Sequence, residues 1–97
     1  MNSYGLTEEA ADDLVTIFLD GIESFGLSQA RYYRDRLERC FALLANNPRM
    51  GRPADAFSAG ARRHEHGSHV IFYEEALHGV LVIAIVHQRS IRRLISK

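Results

Sequence analysis

The chain has no tryptophan, one cysteine, two prolines and one lysine in its 97 residues. A lone Cys40 cannot close an internal disulfide, which fits a reducing compartment, so the cytoplasm is expected. Two prolines and seven glycines are too few for a low-complexity or disordered chain. The longest apolar run, Val80 to Val86, falls far short of the ~18 residues of a membrane span, so no membrane partner is expected. The opening "MNSYGLTEEAADDL" has no basic segment followed by an apolar stretch and does not read as a signal peptide. The length predicts one domain.

The shortage of lysine makes arginine the working cation. Eleven of the twelve bases are arginine, and Lys97 is the exception. Arginine is the better residue for fixed, bidentate contact with a carboxylate or phosphate. The first 30 residues carry six acids and no base, whereas residues 31–63 carry eight arginines against three acids. The formal net charge is zero. That balance excludes a polybasic nucleic-acid binder, while the middle and tail remain suited to an acidic partner.

"SYGL", Ser3–Leu6, fits a first strand. Thr7 is an N-cap, and Glu8 and Glu9 suit the positive end of a helix. Leu14, Ile17, Phe18, Gly21, Ile22 and Phe25 share one helical face. Glu9, Asp12, Asp13, Asp20 and Glu23 gather on the other, and Gly26 supplies the stop. Ala11, Val15 and Leu19 widen the apolar arc beyond the ~100° of one packed surface. Ser28 is placed to cap a second helix, with Ala30, Tyr33, Leu37, Cys40, Phe41 and Leu44 as its inner stripe. Pro48 ends it.

"NPRMGRP" is a loop. "ARRHEHG" is polar on both faces and reads as an edge strand. "SHVIFYEEA" and "GVLVIAIV" are apolar at both parities and read as interior strands covered on both faces. The expected fold class is α+β: an N-terminal strand, an antiparallel helix hairpin, then a three-stranded antiparallel meander forming a curved sheet. One hairpin covers one sheet face. Leaving three large aliphatics bare on the other would forgo roughly 5–9 kcal/mol. The second face is therefore expected to meet a folded-back C-terminal tail and a partner chain.

Taken together, "LTEEAADDL", the helix hairpin, "NPRMGRP", "RRHEHGSHVIFY" and "VLVIAIVHQR" resemble the ParE toxins of the RelE/ParE superfamily of bacterial toxin–antitoxin systems. The resemblance implies a helix hairpin on a curved, mainly antiparallel sheet. It implies poisoning of DNA gyrase by binding rather than by bond chemistry, and neutralisation by a ParD-like antitoxin in a hetero-oligomer. DNA would be met only indirectly, through the antitoxin, and no cofactor is implied. RelE-type relatives instead cut mRNA on the ribosome. Such chemistry needs a base, an acid and a cation for the phosphate. Here His87 with Arg62 and Arg63 would be the candidates, but Gln88 stands where some nucleases have tyrosine, and there is no lysine before Lys97. The non-nuclease branch is favoured.

Each candidate residue also has a structural reading. His87 is either an acid–base group or a histidine ending a buried strand. His64, His66 and His69 look like a metal cluster, but their spacing and the want of a nearby cysteine favour solvated edge histidines, so no metal is expected. Arg62 and Arg63 point to opposite faces of one strand. They either guard an edge against aggregation or meet acidic antitoxin residues. Tyr32, Arg36, Arg39 and Leu43 line the outer face of the second helix, as a solvated face or an antitoxin contact. Ala11, Val15 and Leu19 either touch the second helix or receive an antitoxin helix. Arg89, Arg92, Arg93 and Leu94, in an amphipathic tail, either pack on the sheet or touch gyrase. Cys40 reads as core, with no base beside it.

Overall fold

The computed structural model describes residues 2–91. It contains β1 (Ser3–Leu6), α1 (Glu8–Phe25), α2 (Leu27–Asn46), β2 (Arg52–Pro53), β3 (Arg62–His66), β4 (His69–Ala76) and β5 (Gly79–His87), followed by a 3-10 turn over Gln88–Ser90. The sheet order is β1-β5-β4-β3-β2. β1 runs parallel to β5, and the other pairs are antiparallel. The expected strand, helix hairpin and meander are all present. One strand more than expected comes from the "NPRMGRP" loop, where Arg52 and Pro53 pair with Arg63 and Arg62. The edge role given to "ARRHEHG" therefore holds only beyond that short cover.

Thr7 caps α1 as its side chain predicts, its Oγ1 accepting from the Ala10 N–H at 3.0 Å. Ser28 does not cap α2. The helix starts one residue earlier, at Leu27, with Gly26 as its N-cap and no side-chain bond. Gly26 has φ +92°, a conformation that turns the chain directly from one helix into the next and leaves no room for a serine cap. Phe25 does not reach the core either. It is 75% exposed at the hairpin tip, past the end of the surface that α1 covers.

Leu37, Phe41 and Leu44 of α2 bury against Ile71, Tyr73, Val80, Val82 and Ile85 of the sheet, with Leu14, Ile17 and Tyr33 alongside. Cys40 lies among them, and burial pushes its thiol up, consistent with a core residue. Tyr73 is fully buried, and its hydroxyl ties the helix exit to the sheet. It accepts from the Gly51 N–H at 2.9 Å and donates to the Pro48 carbonyl at 2.7 Å. Gly51 is required there, because a Cβ would lie 2.6 Å from both the Arg63 carbonyl and the Tyr73 hydroxyl.

A register shift in β5 alters the expected alternation. Phe72 pairs with Ala84 but Tyr73 pairs with Val82, so Ile83 is an extra, unpaired residue. Val80 and Val82 face the helices before it, and Ile85 does so after it. The start of α1 satisfies the backbone at this bulge. The Thr7 hydroxyl donates to the Ile83 carbonyl at 2.8 Å, and the Thr7 N–H donates to the Val82 carbonyl at 3.0 Å. Asp13 accepts from the Ile85 N–H at 2.9 Å. Asp13 is thus not part of a solvated outer face. Burial, with Glu9 and Asp12 nearby, pushes its carboxyl up against the opposing effect of that N–H.

The second sheet face is closed differently from expectation. Val70, Phe72 and Ala84 there are buried by Ala54 and Ala61, with Phe57, Ile83, Val86 and Ile91 packed alongside. The cover is the loop between β2 and β3, which the sequence pattern had left without a role. Phe57 stacks on Phe72 with centroids 4.0 Å apart. Ile91, the first residue of the expected tail, does pack here. The inference that a partner must shelter this face is thereby overturned, since the chain's own loop does it.

Candidate functional site

With the sheet covered on both faces, most of the exposed large apolar side chains among the described residues lie on the helices, Met50 and Leu77 being the exceptions. Val15 and Leu19 of α1 are each 57% exposed, so they do not serve as the contact with α2 that was one reading of them. Ala11, on the same stripe, is half-buried. Residues at i and i+4 on a helix form one continuous strip, here apolar and flanked by the acids Glu8, Asp12 and Glu23.

The outer face of α2 carries the second strip. Tyr32 and Leu43 are large and exposed, and Arg36 and Arg39 lie between them. Arg36 donates to the Tyr32 hydroxyl at 3.2 Å, with its guanidinium 5.6 Å from the ring centroid. Such stacking holds a long side chain extended at little further entropic cost, which suits recognition. On the other flank Arg34 lies 4.6 Å over the Phe18 ring, pinning α1 to α2.

Arg62 and Arg63 do point to opposite faces. Arg62 pairs with Tyr73 on the helix side and donates to the Gly51 carbonyl at 2.6 Å. Arg63 pairs with Phe72 on the other side and donates to Glu65 at 3.0 Å. Glu65 also holds Arg52 at 2.6 Å. Burial would push the Glu65 carboxyl up, but Arg63 and Arg52 outweigh it and hold it below its usual range. This Arg52–Glu65–Arg63 triad was not anticipated. Its only sequence signal was an acid alternating with arginines on the strand.

The nuclease candidates do not converge. Arg62 pairs with Tyr73 and His87 with His69. Those β4 partners are four positions apart, or roughly 13 Å of strand, and Arg63 lies on the reverse side. His87 accepts from the Arg89 N–H at 3.2 Å through Nδ1 and caps the terminal turn. Arg89 is exposed on that turn. Arg92, Arg93 and Leu94 lie outside the described residues.

His66 and His69 are not solvated edge histidines. Both are half-buried beneath Tyr33 of α2. The Tyr33 hydroxyl lies 2.6 Å from His69 Nδ1 and donates to the His66 carbonyl at 3.1 Å. The His87 ring meets His69 edge-on at 5.2 Å. Burial first, then the neighbouring His87 and His66, lower the His69 pKa to about 4. Among the described residues no group of three or more His, Cys, Asp or Glu could hold a metal ion.

A depressed histidine pKa makes stability depend on pH in a definite direction. The unfolded chain takes up the proton near pH 6.5 and the folded chain only near 4. The contribution of neutral His69 is therefore complete above pH 6.5 and is lost as the pH falls toward 4. Discounted for the solvent that still reaches the ring, it is about 1–2 kcal/mol. Urea unfolding at pH 7.5 and 4.5 should show His69→Gln losing less stability than the parent by that amount. Equal losses in the two proteins would remove His69 from the account.

The chain matches the family model described as the ParE toxin of type II toxin-antitoxin system, parDE, over residues 4–92. It is 35% identical over 88 residues to Toxin ParE1 of Caulobacter vibrioides, covering 91% of each chain. It is 33% identical over 87 residues to Toxin ParE1 of Mycobacterium tuberculosis, covering 89% of each. Its fold superposes on a chain from a structure of the chromosomal ParDE toxin–antitoxin system of P. aeruginosa with a TM-score of 0.75. That match covers 90% of this chain and 96% of the other at 21% identity, so it speaks to the fold alone. The helix hairpin, the five-stranded mixed sheet and a family match running almost end to end lead to one assignment: the chain belongs to the ParE toxin family of type II toxin–antitoxin systems.

Proposed function

We propose that the chain inhibits DNA gyrase by binding it, without bond chemistry of its own, and that a cognate ParD-like antitoxin in the cytoplasm neutralises it. The observation that carries this reading is the ParE family match over residues 4–92. Two features of the molecule support it. His87, Arg62 and Arg63 are spread over both sheet faces and do not form a phosphodiester-cleaving set. The exposed strips on α1 and α2 also leave apolar area bare, together with arginines free to meet an acidic chain. Among the described residues no helix is long and apolar enough to cross a membrane.

In this reading Ala11, Val15 and Leu19, with Tyr32, Arg36 and Arg39, receive the antitoxin, while Arg62 and Arg63 meet its acidic residues. The target contact falls to Arg89, Arg92, Arg93 and Leu94. Purified protein should block supercoiling by gyrase in vitro, and expression without antitoxin should produce filamentous cells. Reversing Arg89, Arg92 and Arg93 to glutamate should raise the half-inhibitory concentration by at least about tenfold, as expected for the loss of interface arginines. Undiminished supercoiling by gyrase in the presence of the parent protein would remove the gyrase reading.

A further inference from the structure

The loop that closes the second sheet face does not fill it. A cavity of about 170 Å³ remains between this loop and the strands. Pro53, Ala54, Ala56, Phe57 and Phe72 make its apolar walls, and Arg63 borders it. An apolar space of about 150 Å³ accepts a benzene-sized group, so this half-open pocket has room for one large apolar side chain.

The cavity is built rather than incidental. The Ala54 N–H donates to the Ala61 carbonyl at 2.8 Å, and the Phe57 N–H donates to the Ala54 carbonyl at 3.0 Å. Asp55, which also borders the cavity, is committed to the loop, accepting from the Gly60 N–H at 2.9 Å. The walls therefore need little ordering on binding, which favours recognition.

Arg63 contributes something further. Its side chain is only 19% exposed. One terminal nitrogen is bonded to Glu65, but its Nε–H is buried without an acceptor. Among the described residues it is the single buried side-chain nitrogen or oxygen left so. A buried donor on a cation, lacking a partner, is a standing cost that an incoming acceptor relieves. The side of a guanidinium that includes Nε fits a carboxylate. The apolar walls suit a peptide side chain rather than a nucleic-acid backbone.

We propose that this cavity is a side-chain slot for the antitoxin. An extended antitoxin segment inserts one apolar side chain beside Phe57 and sets an Asp or Glu carboxylate on the Arg63 guanidinium, which turns outward to present its buried Nε. The slot rests on the antitoxin reading above, adds a second contact on the sheet side remote from the helix strips, and gives the partner segment a paired apolar–acidic signature.

The test is a binding titration of the full chain with the cognate antitoxin. Two variants are used. Ala56→Phe fills the slot from an exposed rim position, and Arg63→Gln removes the cation. Both should weaken binding at least tenfold, with the Ala56→Phe melting temperature unchanged. One acidic antitoxin residue, changed to its amide, should weaken binding to the parent by a similar factor and add nothing on Arg63→Gln. Parent-like affinity in a folded Ala56→Phe overturns the slot while leaving the antitoxin reading intact. No binding of antitoxin to the parent chain overturns both. Single-stranded RNA that binds the parent and is lost in Arg63→Gln, with antitoxin affinity unaltered, also overturns the slot.

Discussion

Tyr73→Phe is expected to cost about 2–4 kcal/mol of folding stability, with a fall in melting temperature of ~10–25 °C. The ring would keep its packing, so the loss comes from two polar groups. Without the hydroxyl, the Gly51 N–H loses its acceptor and the Pro48 carbonyl loses its donor. Water cannot easily replace it, since Gly51 and Tyr73 are both buried. Each orphaned group costs about 1–3 kcal/mol, against a total stability of ~5–15 kcal/mol for a domain of this kind. Gly51→Ala attacks the same junction from the other side, by forcing a Cβ against the Arg63 carbonyl and the Tyr73 hydroxyl. The double variant should then lose less than the sum of the two. Guanidinium unfolding of the three variants checks this. A Tyr73→Phe protein within 0.5 kcal/mol or so of the parent, the range of ordinary surface changes, would show that the hydroxyl does not hold the helix exit to the sheet.

The second large effect concerns binding and leaves the fold alone. Val15→Glu with Leu19→Glu should weaken the antitoxin complex about 100-fold, or about 2.7 kcal/mol. It should change the melting temperature little, because both positions are exposed and glutamate is a good helix former. Two charges on an apolar docking strip must be stripped of water with nothing to pair them. They also add to the acids already on α1. Titration of antitoxin into parent and variant, beside a thermal scan of each alone, separates the two properties. Full affinity in the variant would move the antitoxin off this strip. The slot variants described above lie on the opposite side of the sheet, so the two contacts can be scored independently.

How far the molecule was readable in its sequence depends on the range of the interaction involved. The helix hairpin was legible because its signals are local: Thr7 at one end, Gly26 in the middle, Pro48 at the other, and an apolar repeat between them. The meander was legible from two short runs apolar at both parities, from the polar run before them, and from the order of motifs that resemble ParE toxins. Asp13 was misplaced because a helical wheel knows only its own axis. The Ile85 N–H that claims it lies 72 positions away. Parity counting failed on β5 because it assumes an unbroken strand, and Ile83 breaks it. The second face was misjudged because residues 54–61 were left without a role, while Phe57, the one large apolar side chain there, was the signal of a cover. For the candidate surfaces, helical spacing found the strips on α1 and α2 but not the triad at Glu65 or the tyrosine–histidine cluster, where β3, β4, β5 and α2 meet.

The strand order has a consequence for when this protein can exist. Among the described strands β5 is the last in chain order, yet it lies inside the sheet between β4 and β1, and β1 has no neighbour in that sheet until residues 79–82 arrive. The helix start likewise waits for Val82, Ile83 and Ile85 to take its cap and its carboxylate. Pairings between the two ends of a chain carry the largest loop-closure cost and form slowly. During synthesis β1 and the start of α1 therefore stay without these partners until β5 emerges, and the sheet closes last along the seam that joins them.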